Sequence, residues 1–394
     1  MNLGKYILAS ALSVALVSIT TGCSLFGSEE DTVIALPSPI VENQFSIKPL
    51  WSNSLSSSKE IYSQLSPAYS GNTIYVADRF GNVKAIDNSA GKTLWNTNLA
   101  KSSLFSSQSA LLSGGVSVDD KFVYVGSERA VVYALEIATG KLVWQQNVKG
   151  EVLTNPLSAE NKIIVHTTNG FLQALDRETG KEVWDMALDT PLLSLRGQSA
   201  PVIAYGAIIV GDDTGHVNAY FLNDGQLIWQ QRISQPSGST EIAKLNDVDI
   251  QPIIENGLVY AVGYNGNLVA LDLSNGQIIW RKALSTTHSF VLDSNKIYAI
   301  DQDDNIFSLF KNGGSTIWKQ SELLHRQLTD PVLYGKYIVV GDFEGYLYWI
   351  TQEDGHIAAK TQVNSSGIQA TPLVVNNNII VQTKNGNVYA YTLN

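Results

Sequence analysis

The 394-residue sequence is poor in the residues that usually carry metal or redox chemistry. It contains one cysteine, Cys23, and five histidines. A single thiol excludes both a disulfide within the chain and a metal site built from several thiolates. The histidines lie in different parts of the chain, and no pair has the spacing of a zinc site or of an acid–base couple. We therefore expect no metal centre and no cofactor.

Sequence motifs of the common enzyme classes are also missing. The chain has no Gly-x-Ser-x-Gly elbow, no phosphate-binding loop and no dinucleotide-binding fingerprint. Its formal net charge of −10 disfavours nucleic acid as a partner, and it disfavours electrostatic adhesion to anionic lipid headgroups. The sequence predicts neither an enzyme nor a nucleic-acid-binding protein.

A long apolar run lies near the N-terminus, from Tyr6 to Ile19, and the only charge before it is Lys5. The run is too short to cross about 30 Å of hydrocarbon as a stable helix, and small residues follow it. This pattern is typical of an export signal. We therefore expect residues 1–22 to be a signal peptide.

The residues around Cys23 resemble a bacterial lipobox, whose cysteine is acylated and becomes the new N-terminus. Thr20 stands where these motifs usually carry leucine. The resemblance implies a palmitoylated Cys23, and Ser24 after it implies sorting to the outer membrane. An ordinary secretory signal that contains a cysteine is the alternative. Residues 23–45 are rich in Ser, Glu, Asp and Pro without periodicity, which predicts a flexible tether.

The rest of the chain is organised by a repeat that joins a glycine to a tryptophan. It recurs at intervals of roughly 40 to 50 residues, the range of propellers and solenoids. The pairs are Gly91/Trp95, Gly140/Trp144, Gly180/Trp184, Gly225/Trp229, Gly276/Trp280 and Gly314/Trp318, and Gly355 recurs with Ala359 in the tryptophan position. We expect these tryptophans to wedge each blade of a propeller against its neighbour.

Each repeat unit reads as four short antiparallel strands. Runs such as Ile163-Ile164-Val165 and Leu172-Gln173-Ala174 alternate or are rich in β-branched residues, and turns such as Asn169-Gly170 join them. A proline opens many units, where a strand needs no ladder donor. These prolines are Pro67, Pro156, Pro201, Pro252, Pro331 and Pro372. A four-stranded antiparallel unit of this kind is one blade of a β-propeller.

The two ends of the repeat region complete one another. The last unit, from Thr371 to Asn394, has three strands and no Gly–Trp segment, whereas residues 48–55 form a tryptophan strand without a preceding unit. Joining them gives a closed ring without open sheet edges between first and last blade. The sequence therefore predicts an all-β, eight-bladed propeller over residues 46–394, closed by the N-terminal strand.

Two consecutive connections between units are long, those from Trp184 to Pro201 and from Trp229 to Pro252. Function is usually placed on such loops, and these two should emerge side by side on one face. The first contains Leu192-Leu193-Ser194-Leu195-Arg196-Gly197, and the second contains Ser237–Glu241 and Asn246-Asp247-Val248-Asp249.

Apolar anchors beside one arginine and nearby carboxylates suit a protein interface better than a catalytic pocket. A second interpretation is that Arg196 pairs with Asp247 or Asp249 and holds the two loops together. The two interpretations are compatible.

The repeat resembles that of the pyrroloquinoline quinone (PQQ) dehydrogenases, which are also eight-bladed and docked by tryptophans. Those enzymes are much longer, hold the quinone over a calcium ion and often stack it on a disulfide. This chain offers neither the cysteines nor an insertion for such a site. A PQQ-dependent enzyme is therefore kept only as an alternative function.

Together with the lipobox, tether and repeats, the segments Leu193–Pro201, Trp229–Ser234 and Asp247–Asp249 resemble the BamB family, lipoproteins of the β-barrel assembly machinery. The resemblance covers essentially the whole chain. It implies a non-enzymatic scaffold, anchored by lipid on the periplasmic side of the outer membrane. Such a scaffold binds the periplasmic POTRA domains of BamA, meets the other lipoproteins through BamA and assists nascent outer-membrane proteins.

The resemblance also implies which residues meet BamA. In that family the contact is made by a Leu-Ser-Leu-Arg segment and an Asp-Val-Asp segment. Matched position by position, these are Leu193, Leu195, Arg196, Asp247 and Asp249. A periplasmic propeller with another protein partner is the second alternative.

Overall fold

The computed structural model describes residues 33–394 except 56–64, 104–105, 236–238 and 241–243. The chain divides into two units, Met1–Ala35 and Leu36–Asn394, and all described strands lie in the second. The predicted signal peptide, the predicted acylation site at Cys23 and the first part of the predicted tether lie outside the described residues. Where the chain is described, none of its helices has the length and apolar character needed to cross a membrane.

The second unit is built from eight four-stranded antiparallel sheets, each of them one blade. This confirms the predicted all-β, eight-bladed propeller. The first strand, β1 (Ile47–Ser54), belongs to the last blade. Blade 1 comprises β2 (Ala68–Ser70), β3 (Thr73–Ala77), β4 (Asn82–Asp87) and β5 (Thr93–Asn98), and a hairpin of β6 (Lys101–Ser103) and β7 (Ser106–Gln108) follows it.

Blades 2 to 4 follow in sequence order. Blade 2 comprises β8 (Leu112–Val118), β9 (Phe122–Ser127), β10 (Val131–Glu136) and β11 (Leu142–Asn147). Blade 3 comprises β12 (Leu157–Ala159), β13 (Lys162–Thr167), β14 (Phe171–Asp176) and β15 (Glu182–Ala187). Blade 4 comprises β16 (Val202–Ala204), β17 (Ala207–Gly211), β18 (His216–Phe221) and β19 (Leu227–Arg232).

Blades 5 to 8 complete the ring. Blade 5 comprises β20 (Ile253–Glu255), β21 (Leu258–Val262), β22 (Asn267–Asp272) and β23 (Ile278–Ala283). Blade 6 comprises β24 (Val291–Leu292), β25 (Lys296–Ile300), β26 (Ile306–Phe310) and β27 (Thr316–Gln320). Blade 7 comprises β28 (Val332–Tyr334), β29 (Tyr337–Gly341), β30 (Tyr346–Thr351) and β31 (Ile357–Gln362). Blade 8 comprises β32 (Leu373–Val375), β33 (Asn378–Gln382) and β34 (Asn387–Leu393), with β1 outermost.

The ring closes through the two ends of the propeller chain. Strand β1 pairs antiparallel with β34, so that Ile47 lies opposite Leu393 and Ser54 opposite Asn387. The predicted completion of the last blade by the N-terminal strand is confirmed. Because the last blade draws strands from both ends of the chain, neither end leaves an unfinished sheet.

The two middle strands of each blade are mostly apolar because both of their faces are buried. In β3, Ile74 and Val76 pack in the cluster shared with blade 8, whereas Tyr75 and Ala77 pack in the cluster shared with blade 2. Successive side chains of a strand point to opposite faces, so each blade lies between two neighbours. Within the described part of the chain, a cluster of this kind occupies every junction between blades.

A tryptophan on the outermost strand of one blade packs against a glycine of the next. The Trp144 ring of blade 2 lies so close to Gly180 of blade 3 that a Cβ on Gly180 would be 2.6 Å from ring carbon Cε3. The indole N–H of Trp144 donates to the carbonyl of Arg177, at 2.9 Å. The same packing recurs at Trp51/Gly91, Trp95/Gly140, Trp184/Gly225, Trp229/Gly276, Trp280/Gly314 and Trp318/Gly355. The predicted wedging role of the tryptophans is confirmed.

The junction between blades 7 and 8 has no such pair, because Ala359 takes the tryptophan position. The segment 36–46, which we call the strap, packs there instead. Phe45 of the strap lies 4.9 Å from Tyr337 and meets Trp349 edge-on at 6.3 Å, measured between ring centroids. An aromatic ring from the N-terminal segment thus occupies the one junction without a tryptophan wedge.

Polar contacts hold the strap to the outer side of blade 7. The backbone N–H of Gln44 donates to the carbonyl of Ala358 at 2.9 Å, and the Asn43 side chain bonds both backbone groups of Lys360 at 2.9 and 3.0 Å. The tether predicted over residues 23–45 therefore meets the propeller from Leu36 onward. The prediction of a flexible tether is wrong for residues 36–45, because their sequence has no periodic pattern that would indicate this packing.

At its first residue the strap is fixed by a buried arginine. Arg326 is only 1% exposed, and its Nη1 donates to the carbonyl of Leu36 at 2.6 Å. Its Nε and Nη2 donate to Oδ2 of Asp342 at 2.9 and 2.6 Å, and Nη2 also contacts Glu344. A buried ion pair with these additional hydrogen bonds holds its geometry tightly.

The wedge can be tested at Gly180, whose φ is +72°. Gly180→Ala introduces a Cβ into the Trp144 ring, whereas the matched control Gly206→Ala has a φ of +76° and open space around it. We expect the control to lose about 1–2 kcal/mol from left-handed backbone strain. Gly180→Ala should lose about 1–3 kcal/mol more from overpacking. Urea unfolding measures the free energy of unfolding of both variants. Equal losses in the two variants would show that the contact with the indole ring adds nothing to the cost of the substitution at Gly180.

Candidate functional site

Two loops on one face of the propeller contain the predicted partner-binding residues. Loop A is residues 188–201, between β15 and β16, and loop B is residues 244–252, the described end of the connection from β19 to β20. The backbone N–H of Leu195 donates to the carboxylate of Asp247, and the Ser199 hydroxyl donates to the carbonyl of Ile250 at 3.2 Å. The loops therefore lie side by side, as predicted.

The predicted interface segment Ser237–Glu241 falls largely outside the described residues, which include only residues 239 and 240 of it. Loop B itself is firmly seated. Val248 is fully buried, and its N–H donates to the carbonyl of Asp212 at 3.0 Å. The side chain of Asn246 donates to the carbonyl of Thr214 at 3.0 Å. Loop B is thus bound to the turn between β17 and β18.

The apolar residues of loop A point outward to different degrees. Leu192 is fully exposed, Leu193 is 50% exposed and Leu195 is half-buried. Exposed leucines side by side on an ordered loop form an apolar patch that a partner can cover. The resemblance to the BamB family did not identify Leu192 as a contact residue. Its position next to Leu193 in the sequence could have indicated that it belongs to the same apolar patch.

Arg196 does not pair with Asp247 or Asp249, so that predicted interpretation is wrong. Its Nη2 lies 3.1 Å from Glu128 Oε1 and 3.3 Å from Glu151 Oε2. These glutamates belong to the turn after β9 and to the connection between blades 2 and 3. The guanidinium therefore points away from loop B and towards the neighbouring blades.

The arginine keeps a large free surface in this position. Its side chain is 56% exposed, and both ion pairs use Nη2. Glu128 is itself held by Arg79, at 2.5 Å. Because a guanidinium carries five N–H donors, the remaining donors of Arg196 are available to a partner. Glu128 and Glu151 could not be predicted from the sequence, because their segments come close to loop A only when the blades form a ring.

Asp247 lies buried beneath loop A, and Asp249 lies half-buried against the same loop. Asp247 is 1% exposed and accepts the N–H of Leu195. Asp249 approaches Gly197 so closely that a Cβ there would be 2.1 Å from Oδ2. Both carboxylates contact the backbone of loop A, which favours a supporting role, and their predicted contact with BamA stays a prediction.

A third carboxylate, Asp213, joins them from the turn between β17 and β18. Burial raises the pKa of Asp213 to about 7, with the charge of Asp247 adding to the shift. Burial raises the pKa of Asp249 to about 8, with the charges of Asp247 and Asp213 adding to it. Burial also raises the pKa of Asp247, against the hydrogen bond from Leu195. Asp213 gave no signal in the sequence because it looks like any other turn residue.

Aspartates four residues before the repeat glycines, such as Asp176 and Asp272, hold the turns that lead to those glycines. The Asp176 carboxylate accepts the N–H of Thr179 at 2.8 Å, and Asp272 does the same for Ser274 at 2.8 Å. The described residues contain no group of three or more His, Cys, Asp and Glu side chains that could hold a metal ion.

The lining of one cavity on the inner side of the ring does not fit a quinone–calcium site. A cavity of about 440 Å³ lies between the innermost strands of blades 5 to 8, and Glu255 is the only titratable residue in its lining. Glu255 is paired with Lys311 at 2.5 Å. Calcium takes six to eight oxygen ligands, which this apolar lining does not provide.

The short distance between Gly197 and Asp249 predicts that substitutions at these two residues have coupled effects on stability. Gly197→Ala should lose about 1–3 kcal/mol of folding free energy, because its Cβ would overlap the Asp249 carboxylate. Asp249→Ala removes the atoms in the way, so the double variant should lose less than the sum of the single losses. A double-mutant cycle by urea unfolding measures this coupling. Additive losses would place the two residues apart in solution.

Comparison with protein families gives a match over nearly the whole propeller. A family model described as outer membrane protein assembly factor BamB matches residues 47–107, 79–320 and 308–394. Curated proteins named outer membrane protein assembly factor BamB are 50% identical in Yersinia pestis and in Escherichia coli K12, each covering 100% of both chains. The protein of that name from Vibrio cholerae is 38% identical, covering 97% of both chains.

Comparison with solved structures shows the fold. The crystal structure of BamB from Moraxella catarrhalis superposes with a TM-score of 0.78 at 24% identity, covering 88% of this chain and 100% of that one. The quinohemoprotein alcohol dehydrogenase from Comamonas testosteroni superposes with a TM-score of 0.69 at 14% identity, covering 89% and 78%. The eight-bladed architecture is thus shared with an enzyme, whereas the similarity in sequence is to the assembly factor.

Proposed function

The chain belongs to the BamB family of outer membrane protein assembly factors, and from this premise we propose that loop A is its binding site for the POTRA domains of BamA. The protein works in outer membrane protein assembly, and its role there is that of a scaffold rather than of an enzyme. The observation that carries the proposal is an exposed Leu192-Leu193 pair beside an exposed Arg196 on a loop seated on two neighbouring blades.

The leucines supply the apolar part of the contact. Leu192 and Leu193 can be covered by an apolar surface of the partner, and Leu195 extends this patch towards loop B. Well-packed apolar anchors at the centre of an interface usually carry much of its binding energy. Because the loop backbone is already fixed by Asp247, little conformational entropy is lost on binding.

Arg196 supplies the polar part of the contact. Its guanidinium is aimed by Glu128 and Glu151 and keeps exposed donors. A carboxylate or a row of backbone carbonyls on a POTRA domain matches these donors. Charged contacts of this kind favour the correct partner and the correct register.

Asp247 and Asp249 take a positioning role in this proposal. They lie under the loop backbone and shape it at Leu195 and Gly197. Substituting either aspartate should weaken partner binding by displacing loop A rather than by removing a contact. The other lipoproteins of the machinery would be reached through BamA, and nascent outer-membrane proteins would be assisted within that assembly.

The anchor completes the proposal. We place the acyl group on Cys23, after removal of residues 1–22, with the protein on the periplasmic side of the outer membrane. Between Cys23 and the start of the strap at Leu36, the extended chain reaches about 45 Å at most. The supporting observation is the lipobox-like sequence before Cys23.

Binding is tested by calorimetric titration of the mature protein in detergent with the periplasmic domains of BamA. Arg196→Ala should cost about 2 kcal/mol or more, roughly thirtyfold in Kd, if the arginine is central to the contact. Arg281→Ala, at an exposed arginine on the outer strand of blade 5, is the matched control and should bind like the native protein.

The leucines have their own matched pair. Leu193 and Leu94 are 50% and 53% exposed, so Leu193→Ala and Leu94→Ala remove similar surface at different places. Only Leu193→Ala should weaken binding. Equal effects of both substitutions would place the contact elsewhere. Absence of binding by the folded native protein would favour a periplasmic propeller with another partner.

The anchor is tested separately with Cys23→Ser. The variant should keep the propeller, since Cys23 precedes the unit Leu36–Asn394, and should lose its fatty acid. We expect the native protein to sediment with outer membranes and to take up labelled palmitate, and the variant to remain in the soluble periplasmic fraction. Membrane sedimentation of an unlabelled native protein would contradict acylation.

A further inference from the structure

Three carboxylates support the segment of loop A that carries the proposed contact. The N–H of Leu195 donates to Asp247, and Gly197 rests against Oδ2 of Asp249. The side-chain Nε2 of Gln198 lies 3.4 Å from both oxygens of Asp213. Residues 195–198 therefore lie directly over Asp213, Asp247 and Asp249.

The described surroundings give these carboxylates no cationic partner. In the described ranges, neither a lysine nor an arginine forms an ion pair with any of the three, and Arg196 is turned towards Glu128 and Glu151. Like charges at close range in a buried site cannot all ionise cheaply. Protons shared within the cluster remove this repulsion.

The other titratable groups nearby do not supply a positive charge that would offset the repulsion among the three carboxylates. Asp212 lies next to Asp213 in the turn, and its carboxylate is used by Asn218, at 2.9 Å, and lies 3.5 Å from the His216 ring. His166, on β13, bonds the carbonyl of Ser199 at 2.9 Å. Burial lowers the pKa of His166, which keeps this ring neutral near pH 7.

Hydrogen-bonding capacity inside the cluster is also incomplete. Oδ1 of Asp247, Oδ1 of Asp249 and Oε1 of Gln198 are buried without a hydrogen-bond partner among the described residues. Three acceptors grouped in this way lack a donor. A carboxylic O–H is the donor that protonation of one aspartate would supply.

We propose that Asp213, Asp247 and Asp249 form a proton-operated latch. While the three carboxylates share protons, the latch holds residues 195–198 in the form that binds the partner. When the carboxylates lose these protons, the latch releases residues 195–198. The latch rests on the proposed function of loop A and adds a means of regulating it. A charged aspartate is stabilised by water, and lifting the covering segment would expose Asp213 and Asp247, which are 4% and 1% exposed in the closed form.

The direction of the pH dependence follows from the shifts. In the closed form the pKa is about 7 for Asp213 and about 8 for Asp249, whereas an exposed aspartate has a pKa of roughly 3.9. Both residues therefore stay protonated in the closed form at pH values where an exposed aspartate has ionised. Raising the pH therefore favours the open, solvated form. The closed form is most stable in acid, loses stability as the pH rises from roughly 4, and reaches a constant lower stability above about pH 8.

Hydrogen exchange in the free protein tests the latch without a partner. We would measure protection of the Leu195 amide in the full-length protein in detergent between pH 6 and 9, corrected for the intrinsic exchange rate. Native protection should fall by about tenfold or more over this range. Asp249→Asn and Asp213→Asn, which keep the shape without the charge, should flatten the decline.

Asp224→Asn is the matched control, since Asp224 is an exposed turn carboxylate outside the loops. It should retain the native pH dependence. Protection that is independent of pH in the native protein would overturn the latch. So would an unchanged decline in both cluster variants.

A second measurement separates the latch from the proposed function. Titration with the periplasmic domains of BamA at pH 6.5 and 8.5 should show native affinity falling about tenfold, and falling less in Asp249→Asn. Equal affinity at both pH values would overturn regulation of binding by the latch. Exchange that follows the prediction without binding at either pH would support the latch and overturn the assigned partner.

Discussion

The contact between an indole ring and the bare α-carbon of a glycine is the constraint on which the propeller depends. A side chain at Gly180 would enter the Trp144 ring, and the backbone there is left-handed, so sterics and conformation both select glycine. Burying a large ring and its N–H against a neighbouring blade fixes the angle between blades. Repeated around the ring, this contact gives a rigid frame with little freedom for one blade to tilt.

The rigidity of this frame explains how loop A can present an ordered surface without secondary structure. The loop is seated on loop B through Asp247, and its arginine is held from the other side by Glu128 and Glu151. These supports come from different blades, so their relative positions are only as constant as the blade angles. The partner contact that we propose for loop A therefore depends on wedges that lie elsewhere in the ring.

The fold could be predicted from the sequence because the same residues recur at the same positions of each repeat unit. Gly180 and Trp184 identify the unit, Pro201 marks a strand start, and Trp51 shows how the ring closes. The face that carries the site was also predictable, since two long connections follow one another in the chain.

The charge contacts were not predictable in the same way. Asp247 and Arg196 look like natural partners by sign, yet the arginine pairs with Glu128 and Glu151. Which opposite charges meet depends on side-chain direction and on blades brought together by the ring, and neither is encoded in local spacing. The strap was missed for a related reason, because its attachment relies on single side chains such as Phe45 rather than on a periodic pattern.

The strap would have a mechanical consequence under the anchor that we propose at Cys23. Any pull on the chain before residue 36 reaches Arg326 and the outer edge of blade 7 first, through the carbonyl of Leu36 and the pairing at Gln44. Only after these bonds fail does the load pass to β1, the strand that closes the ring. With the anchor that we propose at Cys23, the strap would act as a strain relief, because its bonds to Arg326 and blade 7 would take up a pull from the membrane before it reached the ring closure.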